Sequence, residues 1–180
     1  MAATCVSITK AFEGNGYCKS NMGGVKNLWI ADYDGTDGGI TVTAGAVTAM
    51  TGTYYQFPLP IDLGDVVEDV TADPKLGTAF VTQTINGTLL GLSAVASVQL
   101  TDMFRGKQRI LAELYDGQFM LLGEKNGVDI TGGGSRTGAE AASLQGYELT
   151  FTGKEVAYGP FLPAANADTA TTPGELVWKA

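Results

Sequence analysis

Two runs of alternating residues, 109–115 and 118–122, flank the pair Asp116-Gly117. Asp-Gly favours a two-residue type I′ turn, in which both central residues take positive φ and the turn's twist matches that of the strands it joins. A chain carrying this signal is committed to an antiparallel hairpin. The turn sets Leu114 opposite Phe119, Ala112 opposite Leu121, Glu113 opposite Met120 and Tyr115 opposite Gln118. On that register one face is apolar and the other mixed, which suits a sheet with one side on a core.

The same pattern of alternation and glycine punctuation extends along the chain. Residues 25–33 are rich in β-formers and run into the turn-like stretch 34–39. Residues 40–43 and 53–57 read as further strands, the second ended or left at an edge by Pro58 and Pro60. Residues 62–74 are acidic and turn-forming and are expected as a surface excursion, and 76–85 as a strand ending at Asn86-Gly87. One helix, about residues 93–105, is expected because Leu92, Ala96, Leu100, Met103 and Phe104 fall at three-to-four spacing. Ser93 is placed to cap its start and Gly106 to supply a left-handed C-terminal cap.

After the hairpin, residues 125–143 read as a long loop containing Gly132, Gly133, Gly134, Ser135, Arg136, Thr137 and Gly138. Alternation returns at 147–152 with Tyr147, Leu149 and Phe151 inward, and past Pro160 the chain is small and polar. The expected organisation is a single mainly β domain (α+β by count), with an N-terminal arm 1–24, a β core 25–160 with one flanking helix, and a C-terminal arm 161–180. Twenty-five glycines and only 17% charged residues suit turn-rich β structure, while 44% hydrophobic residues exclude general disorder.

Catalytic chemistry finds little footing. The chain has no histidine, which removes the usual general base, the Ser-His-Asp triad and imidazole-based metal sites together. Cys5 and Cys18 are the only cysteines, too few for a four-ligand zinc site; a disulfide between them would close an N-terminal loop, but synthesis in a reducing cytosol favours free thiols. The glycine run fails as a P-loop because Ala139-Glu140 follows Gly138 where Lys and Ser or Thr are needed, and it fails as a dinucleotide fingerprint at Thr137. Residues 32–37 depart from a calcium loop at Thr36, Asp37 and Thr43. Asn86-Gly87-Thr88 matches a glycosylation sequon, yet no secretory leader is visible. The carboxylates Asp62, Asp65, Glu68 and Asp69 read as an exposed acidic loop rather than an acid/base pair. No catalytic residue, metal or cofactor is therefore expected.

The formal net charge of −8 argues against a grip on nucleic-acid phosphates, which needs clustered Lys and Arg. An acidic balance reads first as a device for solubility, and it is also compatible with lining a passage through which DNA slides without sticking. The uncharged stretch between Lys75 and Asp102 is broken by Thr78, Thr82, Gln83, Thr84, Asn86 and Thr88, short of a membrane span, so a soluble protein made in the cytoplasm is expected.

The order of elements in the second half resembles the tail-tube proteins of long-tailed phages. Residues 109–127, with a short turn before a Leu-Leu-Gly strand, resemble the family's hairpin, and Thr137-Gly138 followed by 146–155 resembles its later tyrosine-rich strand. Cys5, Cys18 and residues 23–26 are similar to structural proteins of phages infecting Bacteroidetes-type bacteria. The resemblance covers about two-thirds of the chain. It implies a β-sandwich or barrel with one helix, assembling as stacked hexameric rings that DNA passes through without specific binding. It also implies contacts with other virion tail or connector proteins, no membrane partner, and a place in the virion tail after synthesis in the host bacterial cytoplasm. On that view the hairpin's mixed face lines the lumen, and residues 132–138 and both termini contact neighbouring subunits. A tail terminator, baseplate ring or capsid-decorating protein would read similarly. From a different class, a carbohydrate-binding jelly-roll module would use Trp29, Tyr33, Tyr54, Tyr55 and Phe57 for stacking on sugars.

Overall fold

A computed structural model describes residues 22–36, 39–140, 142–162, 167–169 and 175–178. Cys5, Cys18 and all but the last three residues of the N-terminal arm lie outside the described residues.

The chain is mainly β with one helix. Strands β1 (Val25–Asp32), β4 (Thr53–Pro58), β7 (Gln108–Leu114) and β8 (Phe119–Leu122) pair antiparallel in the order β4-β1-β7-β8. Alternation along β1 sends Leu28 and Ile30 to one face and Trp29 and Ala31 to the other, and a register shift between Val25 and Asn27 returns Val25 to the first face. Both faces are buried. The sheet runs on from β8 through β11 (Phe161–Leu162), β3 (Ala46–Ala49) and β2 (Thr41–Thr43), with β11 and β3 parallel. This arm brings Val47 and Leu162 onto Trp29, Leu111 and Leu121, together with Met50 and Tyr54.

On the other side, β7 hands the sheet to β9 (Val128–Arg136) through the single pair Gln108 and Val128. β9 leads on to β10 (Gly146–Glu155), β6 (Thr78–Leu90) and β5 (Gly64–Asp73), all antiparallel. This four-stranded arm packs across β1 and β7 around a main core of Leu28, Ile30, Ile85, Ile110, Leu122, Val128, Leu149 and Phe151. Each such side chain fully buried contributes about 1.5–3 kcal/mol, so this cluster dominates the cohesion of the two layers. The helix α1 (Ala94–Met103) is anchored in it by Leu100, with Met103 packed alongside. Ser93 caps α1 as expected, its hydroxyl accepting from the Ala96 amide at 3.1 Å. Among the described residues no helix is long and apolar enough to cross a membrane.

Several sequence expectations are corrected. Residues 62–74 hold β5, a ten-residue strand, rather than a loop. β6 runs straight through Asn86-Gly87 to Leu90 because Gly87 leaves room in mid-strand for Leu28 and Leu59, whose methyls would lie 3.1 and 3.2 Å from a Cβ there. Gly106 is not left-handed; α1 ends with Phe104 in a right-handed conformation whose amide donates to Leu100 and Asp102. The hairpin at Asp116-Gly117 forms, but Leu114 donates to the Gln118 carbonyl at 2.9 Å, so the loop has three residues and the register moves by one. Leu111 lies opposite Leu121, Ala112 opposite Met120 and Glu113 opposite Phe119. Only Gly117 takes positive φ (85°), as in a type I turn closed by a left-handed glycine. Neither face of this hairpin is left for solvent. The described parts of residues 161–180 pair within the chain, β11 with β8 and β3, and β13 (Glu175–Trp178) with both β4 and β12 (Ala167–Thr169).

Candidate assembly edges and polar face

From composition, Gly132, Gly133, Gly134, Ser135, Arg136, Thr137 and Gly138 read as a loop. The first five are strand residues of β9, Thr137 and Gly138 follow its end, and all are exposed. β9 pairs with β10 on one side, with Thr131 as the extra residue of a bulge between Ile130 and Gly132. Gly133 is required because β10 comes close: a Cβ there, where φ is 135°, would overlap the Glu148 carbonyl, whereas Gly132 and Gly134 have room for one. Past Val128, the outer edge of β9 has no strand partner among the described residues.

The opposite margin of this arm is also open. β5 pairs only with β6, and its outer backbone edge is likewise without a strand partner among the described residues. Native sheets usually shorten, charge or cover such an edge, since it presents unpaired N–H and C=O groups to any second chain. β5 is long and carries charge, but it also exposes Val67 (41%) and Val70 (54%). The arm thus ends in two pairing surfaces. With an even number of antiparallel strands, those margins run in opposite directions, so β5 of one copy meets β9 of a rotated copy antiparallel.

The arm's two faces differ sharply in chemistry. One is core, through Val66, Ile85, Leu149, Phe151 and Ile130. The other is a floor of threonines and charged groups, with Thr82, Thr84, Asn86 and Thr88 half-buried in strict alternation along β6. Cross-strand bonds tie it together: Thr150 Oγ1 donates to Asn86 Oδ1 at 3.0 Å, Thr131 and Thr152 hydroxyls lie 2.8 Å apart, and Arg136 Nε donates to Glu148 Oε2 at 2.9 Å. On this face Asp65, Asp69, Asp73, Asp129 and Glu148 outnumber the cations Arg136 and Lys154. The mixed hairpin face foreseen from sequence as a lining is buried, and this face is the polar one instead. Its signal was present as the period-two run Thr82, Thr84, Asn86, Thr88.

Elsewhere, polar groups hold the scaffold. Glu113 accepts from Asn27 Nδ2 at 2.7 Å, Trp29 Nε1 at 2.9 Å and Lys26 Nζ at 3.0 Å. Burial alone would raise its carboxyl's pKa, but these bonds outweigh that and hold it below its ordinary value. Glu68 Oε1 accepts from Gln83 and from the Gly159 amide, while Gln83 Oε1 accepts from Gly123, pinning 159 and 123 to the arm. The aromatic set offered for sugar stacking is dispersed: Trp29 and Tyr54 are core, Phe57 is half-buried and packs on the main cluster, and Tyr55 is exposed. Among the described residues no three His, Cys, Asp or Glu side chains are grouped to hold a metal ion. No model of a known protein family, no curated protein and no solved structure matches this chain.

Proposed function

We propose that this chain is a virion structural protein, a subunit that joins copies of itself into stacked hexameric rings forming the tube through which phage DNA passes. The observation that carries the reading is the four-stranded arm, whose two margins have no strand partner among the described residues past Val128 and run in opposite directions. Head-to-tail joining of β5 to β9 around a ring covers both margins of this arm at once, which is how closed barrels solve the edge problem. The polar, net acidic face of the arm suits the lumen, because like charge keeps DNA from adhering. Six-fold symmetry and stacking come from the resemblance to tail-tube proteins. A tail terminator or baseplate ring would use the same edges, and its rings would not stack into tubes.

The test is negative-stain imaging of the purified chain with sedimentation over a range of concentrations. Six-fold rings that stack into tubes are expected. A species that stays monomeric at every concentration contradicts the reading.

A further inference from the structure

Between α1 and the open margin of β9 lies a cleft of about 450 Å³ lined by Leu100, Thr101, Phe104, Ile130 and Tyr147. It opens on the core-facing side of the arm. Phe104 is 58% exposed at its rim, leaving a large apolar ring half uncovered. On β5 the same side of the arm carries Val66 and Val70, since Val66 lies opposite core Ile85 and Val70 opposite buried Val81. Charge also matches across the two margins. β5 carries Asp65, Glu68, Asp69 and Asp73 and no cation, whereas the β9 and α1 margin carries Arg105, Lys107 and Arg136 beside Asp102 and Asp129, with Lys107 3.4 Å from Asp129 and Arg136 2.9 Å from Glu148.

We propose that this cleft is a docking groove for a second copy of the chain, which lays its β5 along β9 with Asp65 against Arg136 and seats Val70 beside Ile130 and Phe104. The inference rests on the ring reading above and specifies its contact. Face matching fixes the parity of the register, and setting Asp65 against Arg136 selects one register of that parity. Counting antiparallel from Arg136 and Asp65, Ser135 meets Val66 and Gly133 meets Glu68 on the core side, while Gly134 meets Val67 and Gly132 meets Asp69 on the polar side. The bulge residue Thr131 is skipped, which brings Val70 to Ile130 with the faces still in step. Beyond it, Asp73 of the incoming strand approaches Lys107. The side-chain-free Gly132 and Gly134 leave the incoming strand's polar side unobstructed.

Two measurements on the full chain test this. First, a Val70→Cys chain and a Phe104→Cys chain, both with Cys5→Ser and Cys18→Ser, are mixed and treated with a short bis-maleimide. Crosslinked dimers are expected from the mixture and not from either chain alone. Second, Asp65→Arg or Arg136→Asp should each raise the concentration needed for assembly about tenfold or more, and the double reversal should restore it. If the unaltered chain assembles but the mixture yields no crosslink and the double reversal gives no recovery, the groove is wrong and the ring reading stands. If the unaltered chain never assembles, both fall.

Discussion

Gly133 of β9 lies so close to Glu148 of β10 that any Cβ at 133 would overlap the Glu148 carbonyl oxygen, and its φ of 135° is one that L side chains rarely adopt. Gly134, the next residue, has nothing within 4 Å of the same position. Gly133→Ala should therefore lower stability by about 1–3 kcal/mol, through strain and a displaced strand. Gly134→Ala should stay within about 0.5 kcal/mol. Thermal unfolding of the two variants side by side checks this.

Glu113 links β7 to β1 through three donors, and its pKa lies below the ordinary value of 4.5. A depressed folded pKa means the contribution is complete above the unfolded value and is lost as pH falls through the folded one. Glu113→Gln should cost about 1–2 kcal/mol at neutral pH, because hydrogen bonds to a charged acceptor are the stronger kind. Denaturant unfolding from pH 7 to pH 3 should show the gap between wild type and variant closing in the acid range. A gap independent of pH would contradict the assignment.

Burial pushes the Tyr54 phenol up to about 12 from its usual 10.0, although Arg109 nearby acts the other way. Here the folded pKa is raised, so the contribution is present below about pH 10 and lost as pH climbs through the folded value. Spectrophotometric titration should find a tyrosine ionising near 12 that Tyr54→Phe removes. The same variant should blunt alkaline loss of stability between pH 10 and 12.

At the hairpin, Gly117 supplies the one positive φ the three-residue loop requires, and Asp116 Oδ1 accepts from the Gln118 amide at 3.0 Å. Replacing both with valine removes the acceptor and forces a β-branched residue into the left-handed region. A loss of about 2–4 kcal/mol is expected by adding the two effects. Since Leu111, Ala112, Leu121 and Leu122 of this hairpin sit in both core clusters, the loss should be visible as reduced soluble yield and a lower Tm.

Where each strand buries one regular stripe, the sequence was readable. β10 and α1 follow from alternation and three-to-four spacing and the Ser93 cap from its position, while β1, buried on both faces, follows from its run of β-formers. β5 was missed because an edge strand buries little: only Gly64, Val66, Glu68 and Asp73 are even half-covered, so its acidic residues read as a loop. β9 was missed because local propensity argues against a glycine-rich strand, and the close approach of Glu148 that calls for Gly133 is a tertiary fact. The hairpin register slipped because Asp-Gly serves two-residue and three-residue loops alike. That slip mattered, since one residue exchanges the faces of a strand and turned a buried pair of faces into an imagined lining.

Backbone hydrogen exchange tests the edge-to-edge account most directly. Amides of residues 65–73 and 129–136 on the outward edges of β5 and β9 should exchange quickly in dilute, unassembled chain. They should become protected together once particles form, while the interior β6 amides change little. Assembled particles in which both edges still exchange at the dilute rate would contradict it.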